Sequence, residues 1–167
     1  MIVKLSLNEM RLACTHAAER YVSAIARGAS PKVNVNQPAD RASVDFLSCM
    51  AELSVAKGLN LYWSGSTDIG SNDVGPYEVR ATKYQNGHLV ISEKDPDDQL
   101  VVLVICNPPE FNLVGYMKAK DAKHPKYHIT NDRGWCWMVP QGKLERFDED
   151  KIEQTSSVDK DSWLFDL

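Results

Sequence analysis

Asp73-Val-Gly-Pro-Tyr-Glu-Val-Arg-Ala-Thr82 is the stretch on which the reading of the chain turns. Its second half opens a strand, Tyr77–Lys83, bounded upstream by Gly75-Pro76. Side chains alternate across a strand, so Glu78 and Arg80 share one face. A carboxylate and a cation two apart on one face can serve a metal and a phosphate together. Asp73 sits five residues before Glu78 and can fold over that face from the start of the strand.

Downstream the signals are strands in quick succession. Asn86-Gly87 is a two-residue hairpin signal of the type I′ kind, leading into a strand at His88–Glu93. Asp95-Pro-Asp-Asp98 is a turn. Leu100–Cys106 is an unbroken apolar run, as expected of a strand buried on both faces. Phe111–Lys118 and Trp135–Val139 read as two further strands, and Leu144–Glu153 as a short polar helix.

Upstream the signals are helical. Ser6-x-x-Glu9 is a capping box, in which hydroxyl and carboxylate satisfy orphan amides reciprocally. Met10, Cys14, Ala17, Tyr21 and Ile25 then recur at helical spacing until Gly28. A second helix is expected after Asp40 as N-cap, closed by Gly58 at C′. It carries two apolar stripes, Val44/Leu47/Ala51/Val55 and Phe46/Met50/Leu53, and so should be buried on more than one side. Glu52 lies inside this apolar helix, where a carboxylate is costly unless paired or metal-bound. Trp63 should pack at the end of that helix.

Glu52 on a helix, then Asp73-Val-Gly75, then Glu78-Val-Arg80 on a strand resembles the restriction-endonuclease-like (PD-(D/E)XK) phosphodiesterase superfamily. The likeness is to small, mostly uncharacterised bacteriophage proteins of that group, and runs from about residue 38 to about residue 140. It implies an α/β fold of the restriction-endonuclease-like type, with N-terminal helices packed on a mixed, mostly antiparallel sheet. It implies a metal-dependent nuclease, a hydrolase of phosphodiesters, or a catalytically degenerate relative that binds nucleic acid, DNA before RNA. Asp73 and Glu78 would bind Mg²⁺ or Mn²⁺ with the Val79 carbonyl, and Glu52 would bind a second metal or orient water. Arg80 stands where the family usually has lysine. It can hold phosphate but cannot act as a general base, because arginine stays protonated in proteins. Asp68-Ile-Gly70 duplicates Asp73-Val-Gly75, so either aspartate fits the ligand position.

Lys118, Lys120, Lys123, Lys126 and Arg133, interleaved with Tyr116, Tyr127, His124 and His128, form either a phosphate-tracking patch or a solvated lysine-rich edge. Pro125 separates His124 from His128 and breaks the helix that a zinc pair would need. Trp135 and Trp137 should face one side of a strand, as core or as a base-stacking platform.

The chain has 167 residues and a net charge of −4. Residues 1–142 hold 15 acidic and 15 basic side chains, and residues 143–167 hold eight acidic against four basic. The expected organisation is one nuclease-like domain at 1–142 and an acidic C-terminal segment at 143–167. That segment ends in Trp163-Leu-Phe165, which either docks into a protein partner or folds back. The tail, Arg80 and the missing basic surplus motivate a second function class, a non-enzymatic phage accessory protein that binds a host or phage protein. The four cysteines form no CxxC pair and read as reduced thiols. With no apolar run near about 18 residues and no signal-peptide pattern at the N-terminus, no membrane partner is expected. The expected location is cytoplasmic, in the host bacterium if phage-encoded.

Overall fold

The computed structural model describes residues 1–28, 38–65, 72–131 and 134–148, with side chains omitted at 38–41 and 131. The chain is α/β. Strand β1 (Ile2–Lys4) leads into helices α1 (Leu7–Ala26) and α2 (Pro38–Gly58). Strands β2 (Tyr77–Thr82), β3 (Leu89–Ile91), β4 (Leu100–Asn107) and β5 (Glu110–Lys118) follow. A short helix α3 (Ala119–Ala122) and a 3-10 turn (Pro125–Tyr127) precede β6 (His128–Asn131) and β7 (Gly134–Val139).

The strands make two sheets. One has the order β1-β5-β4-β2 and the other β3-β7-β6. Among the described strands only β2 and β4 run parallel; every other pair is antiparallel. The larger sheet is therefore mixed and the fold mostly antiparallel, as expected.

The long apolar run of β4 has its explanation in the layering. Val102, Val104 and Cys106 face α2, together with Phe111 and Leu113 of β5. Val101, Leu103 and Ile105 face the small sheet, packing with Leu89, Ile91 and Val139. Helix α2 uses both of its stripes, with Ala51 and Val55 on the sheet side and Cys49 on Ala13 and Ala17 of α1. The order of layers is α1, α2, large sheet, small sheet.

Both halves of the capping box are formed, with the Ser6 amide donating to Glu9 at 2.6 Å and the Glu9 amide to Ser6 Oγ at 3.2 Å. Helix α2 begins at Pro38, ahead of the expected Asp40. Gly58 ends α2 without a left-handed conformation, which Asn60 adopts instead, at φ 52°. Glycine is needed at 58 for close approach, since a Cβ there would lie 2.7 Å from Val3 Cγ2 and 3.1 Å from Leu113 Cδ2.

Two expectations are corrected. Asn86-Gly87 does not join β2 to β3 as a hairpin. The turn bond runs from the Gly87 amide to the Tyr84 carbonyl, so Gln85 and Asn86 are its central residues. Neither Asn86 nor Gly87 has the positive φ of a type I′ turn. Gly87 is the fourth residue, where a type I turn favours glycine, and the chain passes from one sheet to the other. The expected helix at Leu144–Glu153 is also not formed over its described residues. Leu144 is buried in the core, and Glu145 makes a two-bond bridge to Tyr116, each bond 2.9 Å. Phe147 then packs on Tyr77 and Tyr116. Folded chain thus continues past residue 142 to Phe147, and Trp163 and Phe165 lie outside the described residues.

Candidate functional site

Three elements bring the acidic residues into one neighbourhood. Glu52 projects from the middle of α2 and is 3% exposed. Both of its oxygens are taken by Arg20 of α1, at 2.6 Å to Oε1 and 2.7 Å to Oε2. The indole of Trp63 donates to Oε2 at 3.0 Å, and His16 meets Trp63 edge-on with ring centroids 5.0 Å apart. His16 and Arg20 are four apart on α1 and therefore share the face that covers Glu52. Burial alone would lower the Arg20 pKa, but the hydrogen bonds and charge of Glu52 outweigh it and hold the guanidinium charged.

Asp73 reaches back over the start of β2. Its Oδ2 accepts the Val79 amide at 2.8 Å, so the contact at Val79 is through N–H. Asp73 is pushed up to about 7, chiefly by burial and then by the charges of Glu52 and Glu78; the Val79 amide and Arg20 pull the other way. Glu52 and Glu78 are thus both within electrostatic reach of Asp73. Asp68 lies outside the described residues.

Glu78 and Arg80 share a face of β2, as the alternation predicts. Arg80 Nη1 lies 2.6 Å from Glu78 Oε1, and Nη2 lies 2.9 Å from Asp95 Oδ1. Asp95 also accepts the Ser92 amide at 2.9 Å. Burial again disfavours the Arg80 charge, and Asp95 and Glu78 outweigh it.

A divalent ion needs several oxygens converging at about 2.1 Å. Among the described residues no group of three or more His, Cys, Asp or Glu side chains is placed to hold one. Glu52 is sealed by Arg20 and Trp63, and Glu78 is paired with Arg80. The donor set of the described residues, as folded, does not fit Mg²⁺ or Mn²⁺. What the arrangement does hold is two buried or half-buried guanidinium groups, each clamped by carboxylates.

Of the basic candidates, Lys118, Lys120 and Lys126 are exposed. Lys123 turns inward, with Nζ 2.7 Å from Asp97 Oδ1 and 2.6 Å from the Asp95 carbonyl. Arg133 lies outside the described residues. His124 Nδ1 accepts the Lys126 amide at 3.2 Å, which gives that ring a local role.

Arg20 and Asp95 are the site residues that sequence reasoning missed. Cys49 and Cys106 are buried thiols whose pKa is pushed by burial to about 12 and about 11, so neither is a nucleophile. No helix of the described residues is long and apolar enough to cross a membrane. No family model matches the chain, and no curated protein or solved structure matches it either.

Proposed function

We propose that this protein binds nucleic acid and that its phosphodiesterase-type site is degenerate, with guanidinium groups standing where divalent cations would serve a nuclease. The observation that carries the reading is the bidentate Arg20–Glu52 pair closed by Trp63. It consumes the helix glutamate that the resemblance would give to a metal. Arg80 supports it from the other side. It is held between Glu78 and Asp95 and cannot take a proton from water. Both guanidiniums are already matched by carboxylates, so phosphate contact is left to the exposed Lys118, Lys120 and Lys126.

The test is incubation with plasmid, single-stranded DNA and RNA in Mg²⁺ and in Mn²⁺, with Glu78→Ala and Arg80→Lys variants alongside. Binding is read in parallel as a function of salt. The expected result is salt-dependent binding, no metal-dependent cleavage by the wild type, and none by Arg80→Lys, since Glu52 stays sealed. Cleavage that requires metal and disappears in Glu78→Ala would replace this reading with an active Mg²⁺- or Mn²⁺-dependent nuclease. Absence of any nucleic-acid binding at low salt would leave the accessory-protein reading.

A further inference from the structure

The small sheet carries an aromatic group that the acidic site does not use. In β7, Trp135 pairs with Thr130 and Trp137 with His128 of β6; Ile91 of β3 pairs with Trp137 from the other side. These side chains share one face of the sheet. At its β3 end that face is core, with Leu89, Ile91 and Val139 fully buried. At the other end it runs past the core, and Trp135 is 43% exposed. Trp137 meets the Trp135 ring edge-on, at 86° and 5.1 Å, and His128 lies 5.5 Å from it. His128 is tilted against the Trp135 ring at 40°, so two rings hold the indole while 43% of it stays open to solvent.

The elements that pack on β7 bear cations. The 3-10 turn Pro125–Tyr127 packs against β7 and bears Lys126, whose ammonium sits 4.7 Å above the Tyr127 ring. Lys118 and Lys120 flank the start of α3, which also packs on β7. Residues 116–131 carry four lysines, of which Lys123 is matched by Asp97, against one aspartate, Asp121. A polyanion with planar groups complements this combination. Bases inside a duplex hide their faces, whereas a single strand offers them.

We infer that the exposed end of the β3-β7-β6 sheet binds single-stranded nucleic acid, with an unpaired base stacked on Trp135 and the phosphates drawn to Lys118, Lys120 and Lys126. The inference rests on the nucleic-acid-binding reading above and narrows it to one strand form and one surface.

The experiment measures affinity of the full chain for a thymidine oligomer, an abasic oligomer of equal backbone length, and a duplex. It uses wild type, Trp135→Ala, Trp135→Phe and the triple Lys118→Ala/Lys120→Ala/Lys126→Ala variant. Wild type is expected to prefer the thymidine oligomer over the abasic one by at least about fivefold, the scale of one stacked base. Trp135→Ala should erase that preference without changing abasic affinity, and Trp135→Phe should keep most of it. The triple variant should weaken binding to all three and lower the salt slope by about 2. Equal affinity for single strand and duplex, or a folded Trp135→Ala variant with an undiminished thymidine preference, overturns the inference while leaving nucleic-acid binding intact. No binding to any of the three overturns both.

Discussion

The Asp73 carboxyl titrates near 7 in the folded protein, against about 3.8 without the fold, because burial and then Glu52 and Glu78 oppose its charge. Well below pH 3.8 it is protonated in both states and costs nothing. Between about 4 and about 7 the unfolded chain ionises while the native one resists, so this group's contribution to stability falls across that window. Above 7 the loss is complete. Asp73→Asn keeps an oxygen for the Val79 amide and removes the charge. It should therefore stabilise the protein by on the order of 1–3 kcal/mol at pH 8 and leave it nearly unchanged at pH 4. Urea unfolding at the two pH values checks this; an equal effect at both would show that the charge is not the cause. At this scale the sequence was informative about need and silent about supply. Glu52 in an apolar helix demanded a partner, but Arg20 lies 32 residues away on a helix whose register against α2 is a tertiary fact. Asp95 reads as a turn residue, and only the packing of the 92–97 turn against β2 turns it toward Arg80.

At the scale of elements, Gly58 joins α2 to β1 by what it lacks. An added methyl would press on Val3 and Leu113, two side chains of the core. Gly58→Ala is expected to cost about 1–3 kcal/mol, seen as a lower thermal midpoint with α-helical signal intact at low temperature. An unchanged midpoint would mean that β1 gives way freely. Helix α1 was legible because its cap is a local hydrogen-bond circuit, and β4 because double-sided burial leaves an uninterrupted apolar run. The misread turn at 84–87 shows the limit. Asn-Gly favours a type I′ hairpin only if it occupies the two central positions. A one-residue shift makes it the end of an ordinary turn, and that choice was made by β2 pairing with β4. Strand β1 and strand β6 are three and four residues long, too short for periodicity to separate from loop.

Across the whole molecule, folded chain extends beyond where charge alone draws a boundary. The acidic excess begins at 143, yet Leu144 is core, Glu145 bridges Tyr116, and Phe147 closes an aromatic group with Tyr77 and Tyr116. Gly115 makes room for this, since a Cβ there would meet the Glu145 carbonyl. A chain ending at 142 should be less stable than one ending at 148 by several kcal/mol, on the order of one buried leucine and one phenylalanine. Comparison of their unfolding midpoints decides the matter, and equal midpoints would show the 143–148 segment to be dispensable. Tyr77 is in this group and directly precedes Glu78, so the same truncation should loosen the strand that carries the site.

Among the described residues β2 is the last strand of its sheet, with β4 on one side and no further strand on the other. Such a margin is a template on which a second chain can polymerise, unless its donors are spoken for. The Asp73 carboxylate already occupies the Val79 amide. A residue first read as a candidate cation ligand thus covers one amide donor of a strand margin, and that duty alone would keep an acceptor at position 73.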